Sequence, residues 1–387
     1  MPWLSSVGIC PLMQFASLRV AGELRLSLRK AWGHHVVLPP CKRVTAITLS
    51  AKRLTMLFAP PHPALGTFAA LASLRIIGAR VDGRELGDVL DSHCPRLKEL
   101  FLKRVLVRCR DLPRVISIRS DSLERLEMDK DVKSFDASLQ VIAPKLKVFS
   151  SPRIFSYANI VAPKLTEVCW HGPYDPDRHH LREAGRHLQR LEIASRNWNS
   201  QQAAMLMLRF NAVHELQLTV QLRKGNQGYN ECLELINRLS KCEVLVVGFV
   251  ANQHALKPVM VHLFNKCTGV KKIVVRCLAY RKGQCQCKSW ECQCDWSKQS
   301  YMIDNTALGS LQLVEINENM EAYHRVEFVK LLCEYSATFQ KRVTINVMEN
   351  RHTEYIREKI CSIHIPNDKI VINVIRSRQG GKLGWPD

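Results

Sequence analysis

The sequence predicts an α/β solenoid: a curved parallel sheet of short strands, with helices and irregular segments on its convex side. Three observations predict it. A six-residue string of fixed apolar pattern recurs along most of the chain. Its copies keep a near-constant spacing. Several segments between them carry a helical period.

The string runs apolar, two variable residues, apolar, one variable, apolar. It occurs as VTAITL at Val44, LASLRI at Leu71, LKELFL at Leu97 and LERLEM at Leu123. It returns as LTEVCW at Leu165, LQRLEI at Leu188, VHELQL at Val213, CEVLVV at Cys242, VKKIVV at Val270 and LQLVEI at Leu311. Successive starts lie 27, 26, 26, 42, 23, 25, 29, 28 and 41 residues apart. The 42-residue gap holds a degenerate copy, LKVFSS at Leu146, and the 41-residue gap holds a cysteine cluster. An earlier strand reads ELRLSL, Glu23 to Leu28. A period of about 20–29 residues is that of leucine-rich repeats.

The fourth and sixth positions lie two apart, so they point to one face of a strand. A lone strand cannot bury that face, but stacked copies can. The expected core therefore includes Leu74, Leu100, Leu126, Leu191, Leu216, Leu245 and Ile273. The return segments supply the other wall. GRELGDVLDSHCP puts Leu86, Val89 and Leu90 on one side of a helix, and NECLELINRLSKC does the same with Leu233, Ile236 and Leu239. About eleven or twelve irregular repeats are expected.

At 387 residues and 46% hydrophobic, the chain can bury a core without disulfides or metal. The net charge of +21 suggests an anionic partner, or an excess spread over solvated surface. Fifteen cysteines are scattered from Cys10 to Cys361, many beside apolar residues, and no Asn-x-Ser/Thr acceptor occurs. That usage suits a reducing compartment, cytoplasmic or nuclear. No apolar run reaches the length of about 18 residues needed to span a membrane, so no membrane partner is expected.

Residues 1–20 read as a lead-in. They have no Lys or Arg ahead of their apolar part, which makes a poor signal peptide, and Pro2, Gly8 and Pro11 leave no sustained helical period. The repeats occupy 21–350, and 351–387 is a C-terminal extension whose tail, RSRQGGKLGWPD, reads as disordered.

No hydrolase elbow, phosphate-binding loop, dinucleotide fingerprint or His-Glu-x-x-His occurs, so an enzyme is not expected. DPDRHH, Asp175 to His180, sits in a Pro/Gly-rich stretch and reads as a solvated loop. CQCKSWECQC places Cys285, Cys287, Cys292 and Cys294 as two Cys-x-Cys pairs. Four thiolates suit zinc, but Cys-x-Cys is tighter than the usual knuckle spacing. Zinc, reduced thiols in a loop and disulfide chemistry all stay open, and no other cofactor is indicated.

The third, fifth and seventh positions of each copy face away from the core, onto the concave surface. The acidic residues there are Glu99, Glu127, Asp129, Glu167, Glu192, Glu215 and Glu315. The basic ones are Arg75, Lys103, Arg125, Arg190, Lys272 and Arg276. Seven against six is near balance, so the positive excess lies elsewhere. Nucleic acid along this face is disfavoured, because phosphate binding needs clustered Lys and Arg. A protein target fits better. The candidate partner-binding residues are Arg75, Glu99, Phe101, Lys103, Arg125, Glu127, Asp129, Glu167, Arg190 and Glu192, with Phe101 as an apolar anchor.

Some strings carry a resemblance. SHCPRLKELFLKRV, APKLKVF, APKLTEVCWHG with its Trp170, and ALGSLQLVEINENMEAYHRVEFVKLLCEYSATFQKRVTI resemble, in that order, segments of the plant F-box/leucine-rich-repeat proteins of the FBD type. CQCDWSKQ is similar to a cysteine-containing insertion of that family, which places an insertion at 281–300 and an FBD-like closing segment, strand, helix and strand, at 307–347. The closing segment departs from the family in having NENMEAY where a glycine usually follows the strand. The resemblance covers roughly residues 20 to 350. It implies a substrate-recognition component of an SCF-type ubiquitin ligase, or an F-box-less relative. No F-box is recognisable before the repeats, so this sequence by itself is not expected to bind the ligase adaptor. It would instead compete with relatives that do.

Overall fold

The computed structural model describes residues 6–28, 35–51, 54–58, 67–109, 112–134, 137–151, 155–193, 200–222, 225–251, 257–280, 307–317, 320, 322–349, 354–364 and 368–376. The chain divides into two compact units, Met1–Leu188 and Gln189–Asp387. Both are α/β, and every strand pairing described in them is parallel.

In the first unit the recurring strings form strands that stack in sequence order. They are Gly22–Leu28, Val44–Ala51, Ser73–Ile77, Glu99–Lys103, Arg125–Met128, Val148–Ser151 and Glu167–Trp170. The register keeps equivalent positions opposite one another, as in Leu74 with Leu100 and Leu126 with Leu100. From the string at Val44 onward the first, fourth and sixth residues are buried, whereas the apolar residues of Gly22–Leu28 are half-buried. Leu97, Leu100 and Leu102 are at most 1% exposed, as are Leu123, Leu126 and Met128. Apolar burial alternating at this spacing fixes the register, since a one-residue slip would turn every core side chain to water.

The returns of the first unit are mostly strands, where helices and irregular segments were expected. His35–Leu38, Thr55–Phe58, Arg80–Asp82, Leu106–Arg108 and Lys133–Ser134 form a second parallel sheet. Val115–Arg119, Ser138–Ile142, Tyr157–Val161 and His179–Arg182 form a third. Segments such as SLQVI and YANIV alternate with period two, burying Leu139, Val141, Ala158 and Ile160. The expected helix does form at Gly83–His93, with Leu86, Val89 and Leu90 buried. Asp82 caps it, accepting from the N–H groups of Arg84 and Glu85 at 3.0 and 3.2 Å. Gly87 faces the third sheet so closely that a Cβ there would collide with the Ser117 carbonyl oxygen.

In the second unit strands and helices alternate. The strands are His187–Ile193, which spans the boundary, then Ala212–Leu222, Val244–Ala251, Lys272–Tyr280, Leu313–Ile316, Val343–Glu349 and Ile370–Arg376. The helices are Ser200–Arg209, Gly225–Asn237, Lys257–Asn265, Ala322–Glu334 and Glu354–Cys361. Leu216, Leu245 and Ile273 sit in register and fully buried. No helix of the described residues is long and apolar enough to cross a membrane.

Three readings need correction. Residues 6–19 of the lead-in form a helix, because burial of Met13 and Ala16, one helical turn apart, outweighs its lack of amphipathic pattern. Helix Gly225–Asn237 buries Cys232, Leu235 and Ile236, while Leu233 is half-buried and Leu239 lies beyond the helix end. The stack does not end near residue 350, since Ile370–Arg376 pairs with Val343–Glu349. Those last two copies open on Arg342 and Lys369, and the basic first position hides them from an apolar template.

Candidate functional site

In the first unit, strand pairing brings the outward residues into rows. The fifth-position row reads Thr48, Arg75, Phe101, Glu127, Ser150 and Cys169, each opposite the next. The third-position row reads Ala46, Ser73, Glu99, Arg125, Val148 and Glu167. Neighbouring strands lie about 4.8 Å apart, so side chains along a row touch.

Arg75, Glu99, Phe101, Lys103, Arg125, Glu127, Asp129 and Glu167 all belong to this unit. The Arg75 guanidinium lies over the Phe101 ring, 5.0 Å from its centroid, and Phe101 is 7% exposed. Phe101 is thus a covered ring, and an approaching partner meets Arg75 before it. Asp129 accepts from the Asp131 N–H at 3.2 Å and so supports a turn. Ser73 Oγ donates to Glu99 Oε2 at 3.3 Å, and Glu99 Oε1 lies 4.0 Å from Arg125 Nε.

Glu127 is the unusual member. Arg125 Nη1 donates to its Oε1 at 2.8 Å, which holds Arg125 above its ordinary pKa. The residue is only 8% exposed, yet Oε2 has no hydrogen-bond partner among the described residues. A buried carboxylate oxygen without a donor is costly.

Arg190 and Glu192 belong to the second unit. Arg190 Nη2 donates to Glu192 Oε2 at 3.1 Å and to Gln217 Oε1 at 2.9 Å, and its Nε lies 3.3 Å from Glu215 Oε1. Lys272 and Glu315 pair at 2.9 Å. These charges pair with one another, although Arg190 Nε makes no hydrogen bond among the described residues.

The Asp175–His180 stretch is an exposed turn over Pro176–Arg178, as a solvated loop would be, but its end is buried in a strand. Asp175 supports a turn by accepting from the Asp177 N–H at 2.9 Å, and His179 begins a strand. His179 is 5% exposed, against Trp170 at 5.3 Å and Tyr174 at 5.9 Å between ring centroids. The buried aromatics draw it in, a packing that turn-forming composition conceals. Sequence reasoning also passed over Cys169 and His171. As fifth and seventh residues of LTEVCWH, they share the open face by the same arithmetic that located Glu127.

Cys285, Cys287, Cys292 and Cys294 lie outside the described residues. Among those described, no group of three or more His, Cys, Asp or Glu could hold a metal ion. No protein-family model matches the chain, and no curated protein matches it.

Proposed function

We propose that the chain is a protein-interaction scaffold whose repeats form a leucine-rich-repeat solenoid, and that the open face of its first unit docks a protein segment bearing an arginine or lysine side chain. The observation that carries this is the unpartnered Oε2 of nine-tenths-buried Glu127. An incoming ammonium or guanidinium would supply the missing donor, and charge-assisted bonds of that kind are strong. The surroundings favour it. This face carries Glu99, Glu127, Asp129 and Glu167 against Arg75, Lys103 and Arg125, a slight acidic excess on a chain of net charge +21.

The resemblance to F-box/leucine-rich-repeat proteins suggests the consequence: the docked protein is a substrate for ubiquitination, and the chain, cytoplasmic or nuclear, is a recruiting component or a binding-only relative. The second reading, nucleic-acid binding, is favoured by the +21 charge alone.

The test is selection from a random peptide library on the purified chain, beside a gel shift with random DNA and RNA over a salt series. Docking predicts enriched peptides carrying Arg or Lys, with affinity lost about tenfold or more in Glu127→Gln. Absence of basic enrichment, with tight nucleic-acid binding that collapses in salt, would replace the scaffold by the second reading.

A further inference from the structure

The first strand of the first unit and the last strand of the second are each paired on one side only among the described residues. They treat the other side differently. Gly22–Leu28 exposes Glu23 and Arg25, and its register with Val44–Ala51 shifts between Gly22 and Glu23. Charge and irregularity of this kind keep a free edge from pairing with another chain. Ile370–Arg376 has neither. Its seven residues pair with Val343–Glu349 in unbroken register, and IVINVI holds no charge and no proline.

The Val343 N–H donates to the Lys369 carbonyl oxygen at 2.7 Å. Backbone groups alternate in direction along a strand. Lys369, Val371, Asn373 and Ile375 therefore turn their N–H and C=O groups toward Val343–Glu349. Ile370, Ile372, Val374 and Arg376 turn theirs to the other edge, where no described strand meets them. The core is unfinished on that side. Ile345 and Val347 are fully buried, whereas Ile372 and Val374, opposite them in the register, are half-buried. Ile375 is 37% exposed. A row of unpaired backbone groups beside half-covered core residues is what an added strand completes.

We propose that Ile370–Arg376 pairs antiparallel with the same strand of a second copy of this chain, giving a symmetric dimer. A register centred on Asn373 fits both backbones. It sets Ile372 opposite Val374 of the second copy, and Ile370 opposite Arg376. All four carry their backbone groups on the free edge, so both meetings close as hydrogen-bonded pairs. Asn373 then faces Asn373 at the closer, non-hydrogen-bonded spacing. Its Nδ2 already donates to Asn346 Oδ1 at 3.1 Å. An amide has two N–H donors and two acceptor sites, so the two Asn373 side chains extend the Asn346–Asn373 ladder across the axis. Charge selects the occupant. A chain of net charge +21 repels its own copies over most of its surface. This edge sets no like charges opposite one another, because Arg376, the only charge in the strand, falls opposite Ile370. One patch meeting itself is the isologous arrangement of two-fold dimers. The dimer needs the second unit alone and is independent of docking at Glu127.

The experiment measures the mass of the reduced full chain by light scattering over a concentration series. The mass is expected to rise from that of one chain to that of two. Asn373→Lys and Asn373→Asp each set like charges opposite one another and should weaken the dimer about tenfold or more. Mixing the two variants sets opposite charges together and should restore it. Residue 373 is exposed, so circular dichroism is expected to show both variants folded. Val374→Pro removes an edge N–H and none of the bonds to Val343–Glu349, and should also weaken the dimer. A single-chain mass throughout in the unsubstituted chain overturns the proposal and leaves the edge to a strand of another protein. A series of larger masses overturns it in favour of head-to-tail addition. So does a dimer that persists in Asn373→Lys, or a mixture of the two charged variants that stays single. If a charged variant unfolds, Val374→Pro decides in its place, and a dimer as tight as the unsubstituted one overturns the proposal. None of these readouts uses a peptide partner, so failure here leaves the docking test untouched.

Discussion

The Asp175 backbone N–H donates to His179 Nδ1 at 2.9 Å, and His179 Nε2 lies 3.3 Å from the Phe155 carbonyl oxygen. The first contact needs a bare Nδ1 and the second a protonated Nε2, so the structure uses the neutral imidazole. Burial pushes its pKa below the ordinary 6.5, with the Phe155 bond opposing. The unfolded chain therefore binds a proton here at a higher pH than the folded one, and stability rises with pH through that window. Stability of the first unit is expected to be complete above about pH 6.5 and to fall as pH drops below it. Urea denaturation between pH 7.5 and 5 checks this. His262, in the second unit, is also lowered by burial and gives the whole chain a dependence of the same sign, so the diagnostic is a shallower slope in His179→Gln, not its loss.

Gly87 sits inside helix Gly83–His93, a position where Gly→Ala ordinarily stabilises by about 0.5–1 kcal/mol. Here the added methyl meets the Ser117 backbone carbonyl, which belongs to a paired strand and cannot turn aside. Gly87→Ala is expected to destabilise by about 1–3 kcal/mol, the usual range for overpacking. A midpoint shifted upward in urea would mean the helix can move off the third sheet at little cost.

Much of the architecture was legible because one period-two pattern, repeated at a near-constant interval, leaves few ways to bury Leu74, Leu100 and Leu126 together. The returns were less legible, since segments as short as YANIV satisfy either wall of the core and only their alternation marks them as strands. Arg342 and Lys369 hid the last two copies by putting charge where the template wants a hydrophobe. The candidate site was half legible. Position along the string identifies Glu127 as outward-facing. It cannot reveal that one carboxylate oxygen is buried without a donor, because that depends on neighbouring strands.

Leu126 is expected to matter for folding alone. It is fully buried between Leu100 and Phe149 in the register. Leu126→Ala should cost about 2–5 kcal/mol, read as a lower urea midpoint.

Its neighbour Glu127 is expected to behave in the opposite way. Burial of a half-satisfied carboxylate costs about 1–3 kcal/mol or more, a cost the fold bears without return unless the oxygen serves a partner. Replacing Glu127 by Met removes the orphaned oxygen and keeps much of the volume over the sheet. It also deprives Arg125 of its bond to Oε1, but the Arg125 side chain is 43% exposed and water can replace that bond. Stability of Glu127→Met is therefore expected to be unchanged or higher, while selection for basic peptides is lost. A gain in stability at the expense of binding is what a recognition residue produces. Denaturation of Glu127→Met beside Leu126→Ala measures it directly. A loss at Glu127→Met as large as that at Leu126→Ala would show that the carboxylate holds the sheet together, and the docking assignment would go with it.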